Sequence, residues 1–339
     1  MTTMRGVIGQ RVMLAKLCAR AARGEVAHAY GLFGPRSIGK RTVALRIAQT
    51  LNCLDPKQPA GGCGSCLSCV KIERGVHPDV RLIERDPTLK DIAIEQVTEM
   101  QQDLALRPLE GRKRLVIIDD AGELNLFGQD ALLKTLEEPP PHAVLLLITP
   151  AAAVLSETIQ SRLQPLTFRY VRTAEIAESL TARKIKDADH IAASSGGRPG
   201  LALRLATDED GERTSRNALE RELLKLVSSG LTDRFAWAAD LADESEPRKR
   251  AQAIDLRFDH WAELMRDAAV AARGIGVGPL RPDQATQTAK IAAGVNAREL
   301  VDAALLIEKL RRDLAWNANA RAMLELFALK LPYVAGVAA

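Results

Sequence analysis

The stretch Gly34-Pro35-Arg36-Ser37-Ile38-Gly39-Lys40-Arg41 constrains the fold more than any other part of the chain. It fits the phosphate-binding loop G-x-x-x-x-G-K-[ST] at seven of its eight positions. That loop works only between a strand and a helix, because backbone N–H groups and a helix N-terminus together cradle the phosphate oxygens. Both flanks are present. His28-Ala29-Tyr30-Gly31-Leu32-Phe33 reads as a short apolar strand, and apolar positions 44, 45, 47, 48 and 51 recur with helical spacing. The eighth position is the exception. A hydroxyl there would hold Mg²⁺, but Arg41 has five donors and no acceptor and cannot ligate a cation. Thr42 is displaced by roughly 100° around the helix and faces elsewhere.

Four further segments extend the α/β reading. His77–Ile83 is a strand entered from a Pro turn, and Ile92–Leu106 an amphipathic helix. Leu115-Val116-Ile117-Ile118 is an apolar run ending in Asp119 and Asp120, and Ala143–Thr149 is a second buried strand. Acids at the C-terminal end of a strand lie where open α/β sheets bind ligands. In a phosphate-loop ATPase the first acid holds Mg²⁺ and the second, usually Glu, positions water. Asp120 is one methylene shorter than Glu, so Asp120 and Arg41 both argue against productive ATP–Mg²⁺ chemistry. Asp119 as a structural cap, and Thr149 as an ordinary strand end rather than a hydroxyl facing phosphate, are the alternatives. The βα alternation through residues 28–168 predicts a parallel, doubly wound sheet.

Cys53, Cys63, Cys66 and Cys69 fall within seventeen residues. Four thiolates satisfy tetrahedral Zn²⁺ and leave no open position, which predicts a structural zinc module rather than a catalytic one. Reduced structural cysteines and a redox C-x-x-C pair are the alternatives. With four sulfurs available, His77 reads as a turn residue and not a ligand. Cys18 stands alone and reads as a small apolar residue on a helix spanning 7–24.

Composition narrows the function classes. The chain has 339 residues, 47% apolar and 27% charged, which fits two or three globular domains. Aromatics make up only 4%, which favours helix-rich packing. A net charge of +4 reads as a solvated surface and does not argue for nucleic-acid binding. No apolar run approaches a membrane span, and MTTMRGVIGQ lacks a secretory signal, so a cytoplasmic protein is expected.

Taken together, Ile8-Gly9-Gln10, His28-Ala29-Tyr30, the phosphate loop, the four-Cys insert, Ile118-Asp119-Asp120-Ala121, Ala131-Leu132-Leu133-Lys134-Thr135-Leu136-Glu137-Glu138-Pro139-Pro140 and Ser161-Arg162 resemble bacterial clamp-loader subunits of the AAA+ class, which serve DNA polymerase III. The resemblance is strong over residues 1–205. The chain departs from it at Asp130, where Asn is frequent, and at Leu163, where Cys commonly follows Ser-Arg. Arg41 and Asp120 are similar to the non-hydrolysing member of that family rather than to its ATPase member.

The resemblance implies that Arg162 acts in trans as an arginine finger, a permanently charged fork that neutralises developing phosphoryl charge in a neighbouring ATPase subunit. It implies a nucleotide site formed by Gly34, Gly39, Lys40, Arg41, Asp119, Asp120 and Thr149 that has degenerated. The implied partners are ATPase subunits of the tau/gamma type and the delta subunit. Through that complex they include the sliding clamp and primer–template DNA during replication. The implied architecture is an α/β P-loop AAA+ core over 1–168 with a zinc module at 53–69, a small helical lid over 169–208, and an all-α collar over 209–339. Arg198 lies near the second sensor position of such lids and reads here as a helix-joining residue. Leu219–Val227, Phe235–Leu241, Ile254–Ala272 and one long stripe from Leu300 to Leu324 read as core faces of collar helices, with other apolar faces left exposed. Rival readings are an ATP-hydrolysing tau/gamma-type subunit and a zinc-containing nucleic-acid-binding module.

Overall fold

A computed structural model describes residues 6–22, 25–55, 57, 61–85, 91–92, 94–207, 212–274, 285–315 and 319–334. The chain divides into two units, Met1–Ser179 with Arg198–Leu201, and Leu180–Gly197 with Ala202–Ala339.

In the first unit the described residues form five strands: β1 (Ala29–Phe33), β2 (Val80–Ile83), β3 (Arg114–Ile118), β4 (Ala143–Thr149) and β5 (Gln164–Thr167). They make one all-parallel sheet in the order β2-β3-β4-β1-β5. The sequences explain the positions. AYGLF, RLVII and AVLLLIT are buried at every residue, as central parallel strands covered on both faces must be. β5 is exposed at all but Leu166 and carries Pro165, which belongs on an edge.

The helices are α1 (Arg11–Ala22), α2 (Lys40–Asn52), α3 (Leu67–Glu73), α4 (Ile94–Ala105), α5 (Leu126–Glu137) and α6 (Glu157–Gln160). Met100 and Leu104 of α4 and Leu132 and Leu136 of α5 share a core with Val116, Ile118, Leu145 and Leu147. Leu163, just before β5, is buried in the same cluster.

Then follow α7 (Thr173–Ala182), α8 (Ala188–Ser194) and α9 (Pro199–Thr207). In the second unit α10 (Glu212–Ser228), α11 (Leu231–Ala242), α12 (Pro247–Ala272), α13 (Ala285–Gly294), α14 (Ala297–Ala315) and α15 (Ala320–Lys330) surround an aromatic centre. Trp261 stacks on Phe327 at 5.5 Å between ring centroids, and Phe258 lies 5.0 Å from Phe327. The stripe expected to run unbroken from Leu300 to Leu324 is two helices. Asn319 ends the break by capping α15, its side chain accepting from Ala322 N at 3.2 Å. Trp316, Asn317 and the side chain of Cys18 lie outside the described residues. Leu305, Leu329 and Tyr333 are among the exposed apolar side chains of this unit.

Candidate functional site: a phosphate loop, a cysteine cluster and an exposed arginine

The loop occupies residues 34–39, between β1 and α2. Gly34 has φ +149°, and a Cβ there would lie 2.7 Å from the Phe168 carbonyl oxygen, so the chain can leave β1 only through glycine. Gly39 (φ +99°) caps α2. The N–H of Gly200, in the first turn of α9, donates to the Ser37 carbonyl at 2.8 Å and pins the loop from outside.

The two side chains that define the motif are both engaged. The Lys40 ammonium donates to the carbonyls of Gly34 and, at 2.9 Å, of Pro35, so it is folded back on its own loop. It is 8% exposed, and burial pushes its pKa down to about 8 against the opposing pull of Asp120 and Asp119. The Arg41 guanidinium grips the Glu84 carboxylate through both η nitrogens and reaches Asp119 Oδ2 at 3.3 Å.

Strand register brings these acids together. Ile83 pairs with Ile118, and Asp119 N–H donates to the Ile83 carbonyl, so Glu84 and Asp119 leave adjacent strand ends side by side. Burial raises the Asp119 pKa, Arg41 opposes that, and Asp120 and Glu84 add to it. Asp120 adopts a left-handed conformation (φ 59°) and caps a turn of 3₁₀-helix over Ala121–Glu123. Thr149, fully buried at the end of β4, donates its hydroxyl to the Ala151 carbonyl at 3.3 Å. The predicted nucleotide-site residues therefore do converge, but Lys40 and Thr149 are bonded to backbone carbonyls and Arg41 to Asp119 and Glu84. Glu84 escaped the sequence reading. Its only signal is an acid directly after β2, which gains meaning once β2 is known to neighbour β3.

The four cysteines also converge. Cys53 caps α2, Cys66 caps the N-terminus of α3, and Cys63 and Cys69 complete the group, with all four Sγ atoms within 4.8 Å of one another. All four are free thiols. Zn–S bonds of ~2.3 Å in a tetrahedron place sulfurs about 3.8 Å apart, so the donor set fits such an ion.

Backbone N–H groups aim at the sulfurs: Cys63 N at Cys53 Sγ (3.3 Å), Cys66 N at Cys63 Sγ (3.2 Å) and Cys69 N at Cys66 Sγ (3.4 Å). The N–H groups of Cys66 and Ser65 bring the Cys63 thiol down to about 6, whereas burial pushes Cys69 up to about 12. Gly62 (φ +71°) is required, since its Cβ would sit 2.8 Å from Cys69 Sγ and 2.7 Å from Gln49 Cβ.

The cluster is tied to the sheet. Gln49 Nε2 donates to the Cys69 carbonyl (2.8 Å), and Ser68 Oγ to the Asn52 carbonyl (2.8 Å). Asn52 Oδ1 in turn accepts from the N–H groups of Arg112 and Lys113, just before β3. His77 is buried with both ring nitrogens used. Nδ1 accepts from Asp79 N–H, and Nε2 contacts Ser68 Oγ at 3.1 Å. His77 is thus a structural link and not a metal ligand.

Arg162 follows the short helix α6. Its Nη1 donates to the Thr158 carbonyl (2.8 Å), its Nη2 to Glu137 Oε1 (2.7 Å), and the side chain is 32% exposed. Arg198 is buried just before α9. Among the described residues no helix is long and apolar enough to cross a membrane.

The family model described as DNA polymerase III, delta subunit, matches residues 9–172. DNA polymerase III subunit delta′ of Pseudomonas aeruginosa is 35% identical over 209 residues, which cover 60% of this chain and 63% of that protein. Subunit tau of Salmonella typhimurium is 34% identical over 277 residues, 80% of this chain and 41% of that protein. The chain therefore spans less than two thirds of the length of either relative. A gamma subunit-related protein of Thermotoga maritima superposes with a TM-score of 0.40 at 17% identity, covering 94% of this chain and 97% of that one.

Proposed function

We propose that the chain is a clamp-loader subunit of the delta′ type that does not itself turn over ATP, a reading supported by the match of residues 9–172 to the family model described as DNA polymerase III, delta subunit. It acts as a fixed element in the complex and lends Arg162 to a neighbouring ATPase subunit. The observation that carries this reading is the contact of Arg41 with Asp119 and Glu84. A guanidinium already neutralises the acid that would hold a divalent cation, and a second cation of like sign beside it is disfavoured. Lys40, the other group needed by a triphosphate, is bonded inward.

The cysteine cluster holds a structural zinc ion that closes the insert onto α2 and α3. Its four sulfurs leave no position for substrate, so its chemistry is cross-linking alone.

The tau-type alternative draws support from the longer match to the tau relative and from the retention of Lys40 and the loop glycines. Steady-state ATP hydrolysis by the purified chain separates the two. The delta′-type reading predicts no Mg²⁺-dependent turnover. Robust turnover that Lys40→Ala abolishes would establish the tau-type reading instead.

A further inference from the structure

Arg162 emerges where the backbone is fixed on both sides. Its N–H donates to the Ile159 carbonyl at 3.0 Å, and the side chain of Leu163, the next residue, is buried in the core of the first unit. The backbone holds the Cα but leaves a long side chain many rotamers. Two contacts select one of them. Nη1 donates to the Thr158 carbonyl, with Ser161 Oγ more distant at 3.3 Å, and Nη2 donates to Glu137 at 2.7 Å. Both use η nitrogens. Among the described residues Nε has no partner.

Glu137 is the last residue of α5, directly before Glu138 and the Pro139-Pro140-Pro141 run. Its side chain is 51% exposed, so the pair adds little to the stability of the fold. An exposed carboxylate that contributes little to folding, yet holds one end of the guanidinium, has its main consequence for what the other end does.

We propose that Glu137 is a positioning residue for Arg162. Its carboxylate orients the guanidinium so that the remaining N–H edge meets an anion presented by another subunit. This rests on the reading of Arg162 as a finger given above. The charge of Glu137 offsets part of the arginine's field, so the contribution is orientation and reduced entropy loss on engagement rather than electrostatic potential.

The test is ATP hydrolysis by the assembled complex of this chain with its ATPase subunits. Glu137→Ala is expected to lower kcat about three- to fivefold, the range an exposed ion pair supplies, with KM for ATP unchanged. Glu137→Gln keeps an acceptor oxygen and is expected to retain at least half of the rate. Glu138→Ala is expected to match wild type, and Glu137→Ala should add nothing in an Arg162→Ala background.

A second readout uses the full chain alone. Arginine side-chain NMR should show hindered Nη rotation at Arg162 in wild type and in Glu137→Gln, and averaged signals in Glu137→Ala. If Arg162→Ala lowers hydrolysis while Glu137→Ala does not, or if Glu137→Ala acts equally with and without Arg162, the positioning role is overturned and the finger stands. A rise in rate on Glu137→Ala overturns it too, making the carboxylate a brake. If Arg162→Ala itself changes nothing in an intact complex, the finger and the positioning role fall together.

Discussion

Arg41 Nη1 lies 3.3 Å from Asp119 Oδ2, so the residue standing in the hydroxyl position of the phosphate loop is an ion-pair partner of the acid that ends β3. Arg41→Thr frees that acid and restores an oxygen ligand at the helix start. Arg41 and Glu84 are each about half exposed (47% and 49%), so the change should cost under ~1 kcal/mol of stability. Titration with a fluorescent ATP analogue should show binding that depends on Mg²⁺ in the variant and none that does in wild type. Equal Mg²⁺ dependence in both would remove Arg41 as the cause.

The cysteine cluster predicts one zinc ion per chain, measured by elemental mass spectrometry on protein purified without added metal. Cys69→Ser should lose it and melt roughly 6–12 °C lower, the shift that a loss of about 3 kcal/mol gives in a unit of this size. Full retention of zinc would place the ion elsewhere.

Asp79 is buried and accepts from the N–H groups of Leu109 (2.7 Å), Glu110 (2.8 Å) and Gly111 (2.7 Å). Burial alone would raise its pKa, but the three donors outweigh that and hold it below the ordinary 3.8. A folded-state pKa below the unfolded one stabilises fully above the unfolded value and is lost as pH falls through the folded one. Asp79→Asn should therefore cost about 2–4 kcal/mol at neutral pH, and the difference should shrink as pH drops below 3.8. Urea unfolding at pH 7, 5 and 3 reads this, and a pH-independent difference would contradict it.

Arg234 is buried and donates to the carbonyls of Leu226 (2.8 Å), Val227 (3.0 Å), Leu331 and Pro332 (3.0 Å). It closes the C-terminal ends of α10 and α15 with one side chain. Arg234→Met takes the donor from the Leu331 and Pro332 carbonyls, while Leu226 keeps Ser229 and Val227 keeps the Val334 N–H, and should destabilise the second unit by about 2–4 kcal/mol in chemical unfolding.

Much of the core was legible because its signals are local. The phosphate loop, the all-apolar β4 and the clustered cysteines each announce an element within ten or so residues. What stayed hidden depends on pairing. Glu84 and Glu137 look like surface acids until strand order and the end of α5 place them against Arg41 and Arg162. The helix α3 is hard to see in LSCVKIE because seven residues carry little periodicity and the cysteine spacing dominates the segment, although Cys66 also caps it. The break between α14 and α15 was missed because Leu310, Leu314 and Leu324 sustain an apolar stripe across it, and periodicity carries no punctuation when the cap is a lone Asn319.

The division of labour between a silent pocket and a lent arginine is tested most directly by single-turnover ATP hydrolysis in the assembled complex carrying Arg162→Ala. Intact assembly with hydrolysis at one subunit site slowed by roughly 10³-fold is the predicted result. An intact complex that hydrolyses ATP at the wild-type rate at every site would contradict it.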